Sequence, residues 1–302
     1  MGPGREYAIY DVFTGERLAG NPLAVVFDCD GLGDDAMQAI AAEFNLSETA
    51  FVMPPEEAIH AARVRIFTPR FEMPFAGHPT VGSAVAIAER QGGDETAILV
   101  LEENIGLVRC AVRRGRGPAF AEFDLPQLPA QAALEAEAAA LGAALGLDAH
   151  EIGFENHRPA AWSAGVPYVA VPVAGLAAAA RARLDTRLWE RLAPIRENGV
   201  PASAYVYCRE TVGSDSAFHA RMFTGGGPTY EDPATGSAAA AFAGQVVAFD
   251  RPVGAHAVWI EQGIEMGRPS RIRLEIDVDG DRIKAARIGG EAVKVAEGRI
   301  FA

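Results

Sequence analysis

Cysteine is scarce in this chain. Cys29, Cys110 and Cys208 are the only three in 302 residues, and no two share a CxxC spacing. That excludes a disulfide framework and a paired-thiol zinc site, and each cysteine is expected to be a small core residue of an apolar, strand-like run. Positive charge is short too: 27 Lys and Arg stand against 40 Asp and Glu, a net charge of −13. Nucleic acid and anionic membrane, which need clustered basic residues, are therefore not expected as partners. No apolar run approaches the ~20 residues that span a bilayer. Met1-Gly2-Pro3-Gly4-Arg5-Glu6 lacks the basic-then-apolar layout of a secretion signal, so a cytoplasmic location is expected. No dinucleotide fingerprint, P-loop, HExxH or GxSxG motif appears, so neither an organic cofactor nor a metal is expected.

What the chain does have is concentrated in the stretch EDPATGSAAAAFAGQVVAF, from Glu231 to Phe249. Two carboxylates and a proline precede a Thr-Gly-Ser turn, and the fifteen residues 235–249 then carry no charge, eight of them being Ala or Gly. A surface helix would show a polar stripe at the helical period, so this reads as a buried helix. Its first turn leaves backbone N–H groups unpaired at the positive end of the helix dipole, making Gly236 and Ser237 a receptor for a carboxylate or phosphate. The design occurs twice. Arg65-Ile66-Phe67-Thr68, with Glu72 and Pro74 beyond it, leads into Gly77-His78-Pro79-Thr80-Val81-Gly82, just as Arg221-Met222-Phe223-Thr224 leads into the later copy. Phe67 and Phe223 are 156 positions apart (223 − 67), about half the chain. One ancestral half present twice is the economical explanation, and a pseudo-two-fold would face the two helix N-termini across a cleft holding the active site.

Residues 7–13 and 23–27 alternate as strands, 34–44 has helical spacing, and 50–53 and 63–67 are strands. Strands over 97–101, 105–112 and 119–125 complete a mostly β first half with two helices. Pro126 and Pro129 mark a boundary, after which the Ala-, Glu- and Leu-rich tract 128–147 predicts a helix. The second half predicts strands over 166–173, 202–207, 218–223, 259–262, 272–278 and 292–296, with a helix over 188–196 besides the buried one. Three titratable residues stand out. Glu48 lies in a polar loop flanked by Phe44, Leu46, Ala50 and Phe51, a setting able to desolvate a carboxyl. His78 sits between Gly77 and Pro79 at a helix N-terminus, where the dipole favours neutral imidazole. Asp232 stands before the second glycine turn.

Five runs then resemble one family: Asp11-Val12-Phe13 with Gly20-Asn21-Pro22-Leu23, Asn45-Leu46-Ser47-Glu48-Thr49, Pro74-Phe75-Ala76-Gly77-His78-Pro79-Thr80, residues 231–238, and Gly267-Arg268-Pro269-Ser270. Together they are similar to the PhzF-like isomerases of phenazine biosynthesis, relatives of diaminopimelate epimerase, from residue 7 almost to the C-terminus. The resemblance implies an α+β fold of two pseudo-symmetric halves, each a curled, mostly antiparallel sheet around a central helix. Residues 1–125 would form one half, with the strand near 290–302 packing there, and 126–302 the other. It also implies that Glu48 shuttles a proton, that His78 and Asp232 hold and polarise the substrate, and that Ser47, Gly77, Gly236 and Ser237 bind its carboxylate or line its pocket. Related racemases place a cysteine at each helix-opening turn; here neither turn has one, so two-thiol chemistry is not expected. The implied activity is a cofactor-independent proton shift on a small carboxylate, trans-2,3-dihydro-3-hydroxyanthranilate or a related compound, by a homodimer. Epimerisation or isomerisation of another small amino or hydroxy acid, or small-carboxylate binding without chemistry, remain as alternatives.

Overall fold

The alternation at the start of the chain forms two antiparallel strands, β1 (Arg5–Val12) and β2 (Asn21–Val26). The computed structural model describes residues 4–194, 199–226 and 230–302. Helix α1 (Asp34–Phe44) carries the chain back across the outside of the sheet, so that β3 (Glu48–Met53) lies parallel to β2. Two aspartates in its first turn complement the helix dipole, and Asn45 at φ 51° ends it in the left-handed conformation that short polar side chains tolerate. Strand β4 (Ala62–Phe67) runs antiparallel to β3, and the two-residue β5 (Glu72–Met73) folds back on it. Helix α2 (Gly77–Gln91) then crosses to β6 (Thr96–Glu103), parallel to β4, and β7 (Gly106–Arg113) and β8 (Ala119–Asp124) complete a meander. Residues 292–300 of the last strand pair with β1, and that strand also meets β8, which closes an eight-strand mixed barrel. Residues up to 126 and residues 289–302 make up this unit.

The barrel is filled by α2. Every residue from Gly77 to Ala88 is buried, and charge returns only at Glu89 and Arg90. A helix with no wet face exposes its chemistry only at its ends.

The second unit, residues 127–288, opens with β9 (Ala130–Ala132), α3 (Ala138–Ala144), β10 (Ala160–Ser163) and β11 (Pro167–Pro172). Short helices α4 (Leu176–Arg181) and α5 (Thr186–Trp189) lead to β12 (Ser203–Cys208), β13 (Phe218–Phe223) and β14 (Glu231–Asp232). Helix α6 (Gly236–Asp250), strands β15 (Gly254–Gln262) and β16 (Ser270–Asp279), and the start of β17 (Arg282–Ile300) complete it. The pairing order repeats that of the first unit. β11 is parallel to β12, β13 is antiparallel to β12 and to the two-residue β14, β13 is parallel to β15, and β15 is antiparallel to β16. Phe67 pairs with Glu72 in one unit and Phe223 with Glu231 in the other, so the sequence repeat is a structural repeat to the residue. In each, the arginine two positions earlier grips that glutamate through two nitrogens: Arg65 with Glu72 at 2.7 and 2.6 Å, Arg221 with Glu231 at 2.8 Å twice. A planar fork on a carboxylate fixes both distance and orientation, which pins the returning strand just before each helix opens.

Gln245, the one strongly polar side chain inside α6, is buried and fully engaged. It accepts from Trp162 Nε1 at 2.7 Å and donates to the Tyr207 hydroxyl and the Arg158 carbonyl. All three cysteines are buried.

Two sequence expectations need correction. The tract 128–147 is not one helix: residues 130–132 pair as a strand with residues 161–163, and only Ala138–Ala144 is helical. Helix propensity in an Ala- and Glu-rich run is worth tenths of a kcal/mol per residue, and pairing of β9 with β10 plus burial of Leu141, Ala144 and Leu145 outweighs it. The helix expected over 188–196 is instead the single turn Thr186–Trp189, capped by Asp185, which accepts from the amides of Arg187 and Leu188. Trp189 then buries completely and donates to the Ala202 carbonyl at 2.7 Å, anchoring the turn; Ile195 and Arg196 lie outside the described residues. Strand β10 and helix α4 had no clear sequence signal.

The close packing of α6 is testable at Gly244, where an added Cβ would lie 2.2 Å from the Trp162 ring. Gly244→Ala should destabilise the protein by about 2–3 kcal/mol, because the ring is also held in place by the bond from its Nε1 to Gln245. An unchanged urea midpoint would show that the ring is not seated there.

Candidate active site

In the first unit the chemistry-bearing residues arrive on three elements. Asp11 accepts the amide of Leu18 at 2.6 Å and holds the loop after β1, and Gly20 at φ 64° brings its Cα so close to the Val12 carbonyl that a Cβ would lie 2.4 Å away. That tight turn delivers Asn21 at the start of β2. The left-handed Asn45 turns the chain through Ser47 into Glu48, the first residue of β3, which lies beside Leu23 in the parallel pairing. Ala76, extended at φ −154°, begins α2 with Gly77 and His78. His78 Nε2 lies 3.5 Å from Glu48 Oε2, and Asn21 Nδ2 lies 3.4 Å from His78 Nδ1. With the Asn21 amide donating to Nδ1, the imidazole carries its proton on Nε2, facing the glutamate.

Burial decides the charge of this pair. His78 is 4% exposed, and desolvation pushes its pKa from 6.5 down to about 3. The imidazole is neutral near pH 7, and its approach to Glu48 is that of an N–H to a carboxyl group and not an ion pair. The Glu48 side chain is 16% exposed, so it is open to a ligand on one side while shielded on the other.

In the second unit, Asp232 ends β14 and is 7% exposed. The Thr235 hydroxyl donates to its Oδ2 at 2.5 Å, and Gln262 Nε2 donates to its backbone carbonyl at 2.8 Å and to Thr235 Oγ1 at 3.0 Å. Gly236 and Ser237 open α6, and the Ser237 hydroxyl shares a 2.7 Å hydrogen bond with the Tyr168 hydroxyl. Counting from the paired glutamates, Gly77 corresponds to Gly236 and His78 to Ser237, while Asp232 corresponds to Met73. The two units thus offer different groups at equivalent turns. The imidazole comes from the helix side of one turn, and the carboxylate from the strand side of the other.

The sequence singled out Glu48, His78, Ser47 and Gly77, which gather in the first unit, and Asp232, Gly236 and Ser237, which gather in the second. It missed the side chains that hold them. Asn21 and Thr235 stood within quoted motifs without a role; Tyr168 and Gln262 come from strands far along the chain and had no local signal. The thiols are unsuited to proton abstraction, since burial pushes Cys29 and Cys208 up to about 12 and Cys110 well above its ordinary value.

Fold and turns together define the class: a two-unit α+β protein with a carboxyl beside a neutral imidazole at the opening of a buried helix. The family model for phenazine biosynthesis-like proteins, PhzC-PhzF, matches residues 10–298, and the chain belongs to that family of isomerases. It is 66% identical to an uncharacterized isomerase of Mesorhizobium japonicum, over 98% of this chain and 99% of the relative. It is 35% identical to trans-2,3-dihydro-3-hydroxyanthranilate isomerase of Pseudomonas aeruginosa, again over 98% and 99%. Among solved structures, a PhzF family phenazine biosynthesis protein of Bacillus anthracis superposes with a TM-score of 0.89 at 27% identity, covering 99% of this chain and all of that one.

The neutral state of His78 has a direct readout. Nitrogen-15 spectra should show the Nε2–H tautomer from pH 8 down to about pH 4, with protonation only near 3. Because the folded pKa is depressed, its contribution to stability is complete above about pH 6.5 and is lost as pH falls toward 3. A His78 signal titrating near pH 6.5 would mean that the ring is wet and the tautomer unfixed.

Proposed function

We propose that Glu48, His78 and Asp232 act on one small carboxylate-bearing substrate, and that Glu48 moves its proton without any cofactor. The observation that carries this is the Glu48 carboxylate, partly open, 3.5 Å from a neutral imidazole N–H. Binding alone needs no titratable group in that position. Ionised Glu48 takes a proton from an activated carbon, becoming the acid as the C–H electron pair moves into the conjugated system. It then returns the proton to another carbon, which restores the carboxylate and leaves an isomer of the substrate. His78 Nε2–H and Asp232 hold polar groups of the substrate, while the opening amides at Gly77 and Gly236, with Ser47 and Ser237, receive its carboxylate.

Trans-2,3-dihydro-3-hydroxyanthranilate or a close relative is the proposed substrate, supported by the name of the Pseudomonas aeruginosa relative. A cytoplasmic homodimer is the proposed form, and neither nucleic acid nor membrane is a proposed partner.

Incubation with dihydroaromatic carboxylates in deuterium oxide should give an isomerised product labelled at the carbon that receives the proton. Glu48→Gln, which keeps the shape but cannot carry a proton between carbons, should lower turnover by about 10²-fold or more with little change in ligand affinity. Retention of more than about a tenth of the rate would remove Glu48 from this role.

A further inference from the structure

Glu103 has no part in the chemistry above, yet it is one of the most deeply buried carboxyls in the first unit. It ends β6 at 7% exposure. Its Oε1 lies 2.9 Å from the Thr80 hydroxyl oxygen, and its Oε2 meets no partner among the described residues. Thr80 belongs to the first turn of α2, two residues after His78, with its amide and hydroxyl both directed at the Ala76 carbonyl.

The internal repeat says what stands in this place elsewhere. In the first unit Ala62 pairs with Leu101 and Arg63 with Glu102; in the second, Phe218 pairs with Ile260, His219 with Glu261 and Ala220 with Gln262. Ala62 and Phe218 each lie five residues before the matched phenylalanines, so Glu102 corresponds to Glu261 and Glu103 to Gln262. The first of these pairs behaves alike in both units. Glu102 accepts the amides of Glu56 and Glu57 and faces His60 Nδ1, while Glu261 accepts those of Val212 and Gly213 and faces His219 Nδ1. The second pair differs by one functional group. Gln262 holds Thr235, at the opening of α6, through its amide; Glu103 reaches the opening turn of α2 with a carboxyl.

We propose that Glu103 is a positioning residue kept as a neutral carboxylic acid, bracing the His78 turn as the Gln262 amide braces the Asp232 turn, and that its ionisation releases that brace. Among the described residues no cation compensates a charge here. On β4, Arg63 is paired with Glu56 and Arg65 with Glu72 and Asp34. The facing group on β7 is the Cys110 thiol, acted on also by Asp124 of β8, and His78 on α2 is neutral. A carboxylate with a bare buried oxygen is far costlier than the acid. Burial accordingly pushes Glu103 up to about 8, against the smaller opposing effect of the Thr80 bond. With the folded value raised above 4.5, the stabilisation is complete below about pH 4.5 and is lost as pH rises through about 8.

Hydrogen exchange at the Thr80 and Val81 amides tests this without any substrate, so it can fail or succeed apart from the isomerase chemistry. After correction for intrinsic exchange, opening of the turn in the wild type should increase by up to about tenfold per pH unit between pH 5 and 8, then level off. Glu103→Gln should be flat over that range and as protected as the wild type at pH 5. Once a substrate is found, the variant should keep its turnover to higher pH than the wild type. Parallel pH dependence in the two proteins, or weaker protection in the variant at pH 8, overturns the proposal. Should the variant not fold, carbon-13 spectra of glutamate-labelled wild type decide: a protonated carboxyl at pH 6.5 is expected, and full ionisation of every glutamate at that pH overturns it.

Discussion

Each unit is built around a helix that no water touches along most of its length, and that constraint shapes everything near the site. A buried helix satisfies its own backbone except in its first and last turns, so only those turns can meet a ligand with unpaired groups. Ala and Gly in α6, and the uncharged run of α2, let the sheets wrap closely. The helix-opening turns then have to be placed by the strands in front of them. The forked contacts of Arg65 with Glu72 and Arg221 with Glu231 do this in both units with the same register.

The repeat also shows how one scaffold yields unlike chemistry. At matched positions one unit presents His78 and the other Ser237, one Met73 and the other Asp232, one Glu103 and the other Gln262. Backbone geometry is held in common while side chains diverge. Neutrality of His78 follows from the same burial that makes the barrel: a ring 4% exposed cannot keep a charge unless something pairs with it closely, and Glu48 at 3.5 Å does not overcome the desolvation. One histidine of the second unit makes the contrast. His219, between Glu261 and Glu265 at 2.9 Å each, is held above its ordinary value despite burial.

Much of this was legible in the chain. The two uncharged helices, their glycine-opened first turns, the Arg-x-Phe-Thr lead-in strands and the five family-like runs are local patterns, set by residues a few positions apart. The helix at 34–44 was readable to the residue because its apolar spacing lies within the segment itself. Where the reading failed, the deciding partner was distant: residues 130–132 are a strand because residues 161–163 pair with them, and no helix propensity in 128–147 can reveal that.

By itself, then, the sequence determined which segments are buried, where their helices open and which titratable residues stand at those openings, since hydrophobic period and turn chemistry act over short distances. Only the tertiary structure decided what those residues are. It set His78 neutral by enclosing it, turned its Nε2–H toward Glu48 through Asn21, and braced Asp232 with Thr235 and with Gln262, thirty residues on. Protonation state and orientation depend on the local dielectric and on hydrogen-bond partners from separate strands, and those come into being only when the sheet closes around the helix.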